Sequence, residues 1–214
     1  MAYLKRLSTQ LLLSGVEVRS YEDVVGIYRD RLRRLGPVSE SLLYRSREQH
    51  DRKLCQIAQL LGARLTRDNS VLDVGCGFGG LVDHLPECQY KGIDLVTEFI
   101  EEARSRHPGK LFEVRSLASE GRRYDWCVMA CLLNGVPEPE EVFLKSWGVS
   151  RVGVCFDLIE ADKVSPDFHD LHRFDTRATR VRLRELGEVD CRAAGSWGLF
   201  LIWRPPLPYT RIQE

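Results

Sequence analysis

Apolar residues recur at helical spacing in the first third of the chain and at strand spacing beyond it. In YEDVVGIYRDRLRRLG the positions Val24, Val25, Ile27, Tyr28, Leu32 and Leu35 predict a helix, and Gly36-Pro37 ends it. Ser46 then precedes REQHDRKLCQIAQLLGARL, where Leu54, Ile57, Ala58 and Leu61 form a second stripe closed by Gly62. After Arg64 the texture changes. VLDV, YKGI, LFEV, YDWCVMA and VGVCFDLI read as short apolar strands, and helical segments at Leu81 to Leu85, Glu98 to Arg106 and Pro139 to Ser146 alternate with them. That alternation predicts a parallel sheet wrapped by helices. A last helix near Thr176 to Leu186 leads into GEVDCRAAGSWGLFLIWRP, two strand-like runs joined by a turn at Ala193 to Ser196, which reads as an antiparallel hairpin.

The organisation expected is a helical cap or lid over residues 1–65, an α/β domain over 66–205 and an exposed tail over 206–214. A length of 214 residues suits one such domain with an added cap. Lys+Arg and Asp+Glu both number 31, so the formal net charge is zero and nothing global attracts nucleic acid or an anionic membrane. The apolar run Leu11 to Leu13 is too short for a signal core or a spanning helix, and the reading is cytoplasmic. Seven cysteines form an odd set with no CxxC spacing and sit mostly inside apolar runs. Packed, reduced thiols are expected, with no disulfide framework and no metal site.

The stretch VLDVGCGFGG ends a strand in a loop holding Gly75, Gly77, Gly79 and Gly80, which satisfies both GxGxG and GxGxxG. In either pattern glycine permits a tight turn and lets a ligand approach the strand end. A dinucleotide brings a pyrophosphate, which wants backbone N–H groups and a helix dipole. An adenosyl sulfonium brings a cationic sulfur and an amino acid end, so an acid beside the loop favours it and repels the pyrophosphate. Asp73 is that acid, set among Val71, Leu72 and Val74, where a buried carboxylate needs a partner or a purpose. Asp94 closes YKGID at the end of the next strand, where a ribose's paired hydroxyls lie in either fold.

In this order and spacing, VLDVGCGFGG, YKGIDLVTEFIEEARSRHPG, FEVRSL and YDWCVMACLLN resemble class I S-adenosylmethionine-dependent methyltransferases, over a span from about Tyr44 to Pro205. LYRSREQHDRKL, with Tyr44, Ser46 and Arg52, is similar to the pattern ahead of the first strand in a group of small bacterial methyltransferases. The resemblance implies a Rossmann-like, doubly wound sheet of seven strands, mostly parallel, with the terminal hairpin inserting the seventh strand antiparallel. It implies S-adenosylmethionine as cofactor and S-adenosylhomocysteine as product. Asp73 and the backbone of Gly75, Cys76 and Gly77 would hold the methionine end, Asp94 the ribose, and Leu95 the adenine; Met129 and Ala130 would line the other side. Ser116 stands where many members carry an acid for the adenine amino group, so Ser116 Oγ and Leu117 N–H are expected there instead. Arg52 suits the cofactor's carboxylate, and Tyr44 suits closure over the methionine end with a cation–π contact to the sulfonium.

Methyl transfer from a sulfonium is an in-line displacement that asks chiefly for positioning and desolvation, and a general base is needed only where the acceptor holds its proton tightly. Candidates for catalysis lie past strands four and five: Asn134 in ACLLNGVP, and His169, Asp170, His172 and Arg173 in DLIEADKVSPDFHDLHRFD, which offer a base and an anion clamp. HxxH without further ligands is a weak metal motif. Methylation of an O or N atom of a small molecule is the leading expectation. An RNA-modifying enzyme would use Arg29, Arg31, Arg33 and Arg34 for phosphates, yet Glu22, Asp23 and Asp30 offset that stretch, and no Asn-Pro-Pro-Tyr-type motif follows strand four. A catalytically silent cofactor-binding subunit would keep the loop and lack an acceptor pocket. A nicotinamide-dependent oxidoreductase would share the glycines and Asp94, but Asp73 and the terminal hairpin disfavour it.

Overall fold

The computed structural model describes residues 20–161 and 171–205. Its core is one seven-stranded sheet in the order β3-β2-β1-β4-β5-β7-β6. The strands are β1 (Ser70–Val74), β2 (Gln89–Asp94), β3 (Leu111–Val114), β4 (Tyr124–Met129), β5 (Ser150–Ile159), β6 (Glu188–Ala194) and β7 (Trp197–Trp203). β1 to β5 are mutually parallel, and β7 runs antiparallel between β5 and β6. The helices are α1 (Tyr21–Leu35), α2 (Arg47–Gly62), α3 (Thr97–Arg106), α4 (Pro139–Val149) and α5 (Thr176–Leu183). β1 pairs with β2 on one side and β4 on the other, so the chain winds outward in both directions from β1 and leaves a crevice at the carboxyl ends of these strands.

Continuous apolar runs are what a sheet covered on both faces requires. In β1, Val71 packs with Leu54, Ile57 and Leu61 of α2, while Leu72 and Val74 join Val154, Phe156 and Phe200 in a second core on the opposite face. The hairpin closes at the Ala194–Trp197 pair through Gly195-Ser196, with Gly195 at φ +69°.

The structure departs from the predicted elements in one place that matters to the site. The segment after the glycine loop forms only a single 3-10 turn, Gly80–Asp83, where a helix through Leu85 was expected. Pro86 and the start of β2 at Gln89 leave no length for further turns. α5 also stops at Leu183, short of Leu186.

Within residues 20–65 the chain forms α1, a 3-10 turn at Ser39–Leu42 and α2. Ser20 and Asp23 close a reciprocal capping box at the start of α1. α1 buries no residue completely; Val25, Tyr28 and Leu32 rest on Phe78, Val96 and Phe99, and Arg29 pairs with Glu98 at 3.2 Å. This seat holds α1 across the carboxyl ends of the central strands. Residues 1–19 of the cap, residues 162–170 after β5 and the tail 206–214 lie outside the described residues. No helix among the described residues is long and apolar enough to cross a membrane.

Candidate functional site

Under α1, at the carboxyl ends of β1, β2 and β4, lies a cleft of about 230 Å³. Asp73 lines it at the end of β1. Tyr90 donates to Asp73 Oδ2 at 2.6 Å, whereas Oδ1 is buried without a partner. Burial pushes this carboxyl up to about 7; the Tyr90 hydrogen bond opposes that rise and the neighbouring Asp94 charge adds to it. A buried carboxylate oxygen left bare in a cleft is a site waiting for a donor.

The glycine loop is wound so that its N–H groups point into the protein. Gly75, at φ +71°, and Cys76 donate to Ile93 O at 2.8 and 3.1 Å, and Gly77 donates to Asp94 Oδ2 at 3.0 Å. The left-handed turn favours glycine at Gly75, and a Cβ there would also have to displace the Leu132 Cδ1 methyl, 2.7 Å away. The three residues line the cleft as expected, but their amides fasten β1 to β2 and are spent on that task. With those amides engaged and only a short 3-10 turn following, the loop is poorly suited to a pyrophosphate.

Asp94 stands across from Asp73 at the end of β2. Its Oδ1 accepts from Val96 N at 2.9 Å and its Oδ2 from Gly77 N, which fixes the carboxylate. Burial raises its pKa, and the Val96 and Gly77 amides work against that rise. Leu95, Ser116, Leu117 and Ala130 form the wall beyond it. Ser116 Oγ accepts from Ala118 N at 3.1 Å and so caps the turn that shapes this wall. The turn is braced from below: Lys91 is buried between Glu113 and Glu120 at 3.1 and 2.9 Å, and Arg115 reaches Ser119 O at 3.2 Å.

Several expected site residues lie elsewhere. Met129 is fully buried in the core with Phe156 and Phe200, on the opposite side of the strand from its neighbour Ala130. Arg52 is exposed and pairs with Glu48 at 2.6 Å. The α2 residues that line the cleft are His50 and Leu54, one turn apart, and Arg52 sits about 200° round the helix from His50. Asn134 is buried and accepts from Ile159 N at 2.8 Å, stitching the loop after β4 to the end of β5. His172 is held by Asn134 O, through its backbone N–H at 2.8 Å, and by Val136 O, at 2.9 Å from Nε2; burial lowers its pKa. Neither Asn134 nor His172 lines the cleft. Both satisfy backbone groups where segments leave the sheet, which is a structural task. His169 and Asp170 lie outside the described residues.

Three cleft residues gave no sequence signal of their role. His50 stacks on Tyr44 with centroids 4.2 Å apart, and its Nδ1 lies 3.0 Å from Ser39 Oγ. Burial pushes its pKa down to about 4, so the ring is neutral near pH 7. When the Ser39 hydroxyl donates to Nδ1, the ring proton sits on Nε2, which lies on the Gly80 side of the ring. Tyr28 of α1 and Cys131 after β4 complete the inner wall beside Tyr44, and burial raises the pKa of all three.

The methyltransferase-domain family matches residues 45–146. No curated protein matches the chain. Among solved structures, the magnesium protoporphyrin IX methyltransferase of Synechocystis, determined with S-adenosylhomocysteine bound, is 14% identical with a TM-score of 0.60, covering 73% of this chain and 84% of its own. A SAM-dependent methyltransferase of Methanosarcina mazei is 20% identical at a TM-score of 0.54, covering 68% and 96% respectively. An O-methyltransferase family protein of Burkholderia thailandensis is 16% identical at 0.54, covering 85% and 70%. The strand order with its antiparallel β7, the acid-flanked glycine loop and these matches agree: residues 45–146 match a methyltransferase domain, and the chain has the fold of S-adenosylmethionine-dependent methyltransferases.

Proposed function

We propose that the cleft binds S-adenosylmethionine in the orientation set by Asp73 and Asp94, and that the enzyme methylates an O or N atom of a small molecule. The observation that carries this reading is the bare, buried Oδ1 of Asp73 at one end of a cleft whose other end presents the anchored carboxylate of Asp94. When bound, the cofactor supplies an electrophilic methyl group on a sulfonium. Asp73 Oδ1 accepts from its ammonium, His50 Nε2–H donates to its carboxylate, and Asp94 accepts from both ribose hydroxyls. Leu95 and Ala130 flank the adenine, with Ser116 Oγ and Leu117 N–H at its edge, and Tyr44 closes over the methionine end. α1 acts as the lid that keeps water out.

A small acceptor suits a cleft of about 230 Å³ that is roofed by a helix, since a nucleic-acid base would have to leave its stack to pass under that roof. The seven cysteines are all free, which suits the reducing cytoplasm. Calorimetric titration with S-adenosylmethionine, S-adenosylhomocysteine and NADH tests the reading. Binding of the first two without the third is the expected result, and NADH binding alone would overturn it. Screening small hydroxyl and amine compounds for S-adenosylhomocysteine formation then tests the acceptor class.

A further inference from the structure

One buried ion pair stands behind the cleft and lines no part of it. Lys53 of α2 and Asp157 of β5 meet at 3.0 Å with side chains 5% and 0% exposed, and Lys53 Nζ also lies on the ring of Trp197. Burying two charges costs desolvation that their attraction often only just offsets, so such a pair calls for a role. The loop after β4 supplies one. Cys131, two residues past the end of β4, has φ +55°. Glycine adopts that left-handed conformation freely, whereas a cysteine keeps it only where its neighbours fix it. Asp157 is the neighbour that does so: its Oδ1 accepts from the Cys131 backbone N–H at 2.6 Å, and Cys131 Sγ lies 3.6 Å from its Oδ2. At the other end of the loop, Asn134 Oδ1 accepts from Ile159 N at 2.8 Å and Asn134 Nδ2 donates to Asp157 O at 3.5 Å. Between these two ties to β5, Cys131 and Leu132 line the cleft, and Leu132 Cδ1 reaches to 2.7 Å from where a Cβ on Gly75 would stand. Leu132 thus packs directly on the glycine loop.

We propose that Asp157 and Lys53 are positioning residues for the cofactor: the ion-paired carboxylate holds Cys131 left-handed and so sets the wall that Cys131 and Leu132 present beside the glycine loop. The proposal rests on reading the cleft as the S-adenosylmethionine site. A carboxylate accepts a hydrogen bond more strongly than a neutral oxygen, which suits it to hold a backbone against its own preference. Lys53 makes that carboxylate tolerable in the core, since the same acid without its ammonium would be an uncompensated buried charge. Once the Cys131 N–H loses its acceptor, residue 131 relaxes toward the right-handed or extended conformations that any residue with a Cβ prefers. Only the fraction of molecules with the wall in place then binds, and the apparent affinity falls by that fraction. A left-handed penalty of ordinary size makes the loss about tenfold. Neither Asp157 nor Lys53 touches the ligand; both act through Cys131. The competing account is that the pair only docks α2, which carries His50 and Leu54 into the cleft.

Calorimetric titration with S-adenosylhomocysteine, run on variants of the full chain, separates the two accounts. Lys53→Met with Asp157→Leu removes both charges as a unit, leaves no orphaned ion in the core, and should weaken binding about tenfold. Lys53→Met with Asp157→Asn also removes both charges but keeps a carboxamide oxygen for the Cys131 N–H, and should bind about tenfold tighter than the first variant. Adding Cys131→Gly to the first variant should recover most of its loss, because glycine reaches the left-handed region without help. Glycine at that position does nothing for a loosened α2. A first variant that binds as tightly as wild type, or that stays weak after Cys131→Gly, overturns the proposal. A second arm needs no variant and so survives poor folding of any of them. In the NMR spectrum of the wild type, the Cys131 amide proton should resonate far downfield, the mark of a short bond to a carboxylate, and an amide shift in the ordinary range overturns the proposal. A wild type that binds no S-adenosylhomocysteine fails the underlying reading, whereas one that binds it while Cys131→Gly rescues nothing fails the positioning role alone.

Discussion

Asp73 folds with one oxygen bonded and the other bare, and burial holds its carboxyl at about 7. Because the folded protein binds this proton more tightly than the unfolded chain, the stability Asp73 contributes is fully present below its unfolded value near 4 and is lost as pH rises through about 7. A bound ammonium reverses that cost by favouring the carboxylate, so cofactor binding should release a proton wherever Asp73 still carries one. Affinity for S-adenosylhomocysteine is expected to rise by nearly tenfold per pH unit from about pH 5 to 6.5 and to level off above about 7. His50, which titrates near 4, stays neutral through this window. Calorimetry in two buffers of different ionisation enthalpy counts the protons released; Asp73→Asn should abolish the slope, and a flat profile in the wild type would remove Asp73 from the ammonium. Asp94→Ala should weaken S-adenosylhomocysteine by about 1.5–3 kcal/mol, the scale of lost charged hydrogen bonds. It should also lower thermal stability, because the Gly77 and Val96 amides lose their acceptor.

At the scale of elements, the rotation of α2 decides which side chain meets the cofactor. The first turns of α2, REQHDR, contain no large apolar residue to phase the helix, so sequence could place a cation on α2 but not say which face it shared with the cleft. Arg52 points outward and His50 inward. Truncating His50 to alanine should weaken S-adenosylhomocysteine by about 1.5–3 kcal/mol yet leave 5′-methylthioadenosine, which lacks the amino acid end, bound as before. Arg52→Ala should change neither. Parallel losses for both ligands in His50→Ala would place His50 in packing alone. The strands, the terminal hairpin, the glycine turn and the placement of Asp73 and Asp94 at strand ends beside the cleft were legible because each is a local pattern: an apolar run, a turn, or an acid at a strand end. Asn134 and His172 misled for a related reason. Polar residues past a strand end suit catalysis, but they suit equally the backbone groups a chain exposes on leaving a sheet, and here those groups claim them. Lys53 and Asp157 are 104 residues apart, so their pairing had no local trace. Asp157 inside VGVCFDLI did carry the same anomaly as Asp73 inside VLDV, an acid within an apolar strand.

Across the whole molecule, stability is unevenly distributed, and the uneven part lies over the site. The sheet carries the largest fully buried side chains, among them Trp126, Phe112, Phe156 and Phe200. α1 buries no residue completely and is fastened by Val25, Tyr28 and Leu32 on Phe78, Val96 and Phe99, with one half-exposed ion pair from Arg29 to Glu98. Few buried contacts mean a low cost of local opening, so α1 should open well below the free energy of global unfolding. A ligand held between α1 and the strand ends binds the closed form alone and stabilises it by RT ln(1 + [L]/Kd), about 2.7 kcal/mol at a hundredfold excess over Kd. Hydrogen exchange should therefore slow most in residues 21–35 on adding S-adenosylhomocysteine, with smaller change in β4 and β5 if their amides exchange only by global unfolding far above that increment. Arg29→Ala should speed exchange in α1 without ligand and leave the sheet unaffected, since the pair it breaks joins only α1 to α3. Uniform slowing across α1, β4 and β5 would mean that the helix and sheet open together, and that the cofactor enters a preformed cleft without the lid moving.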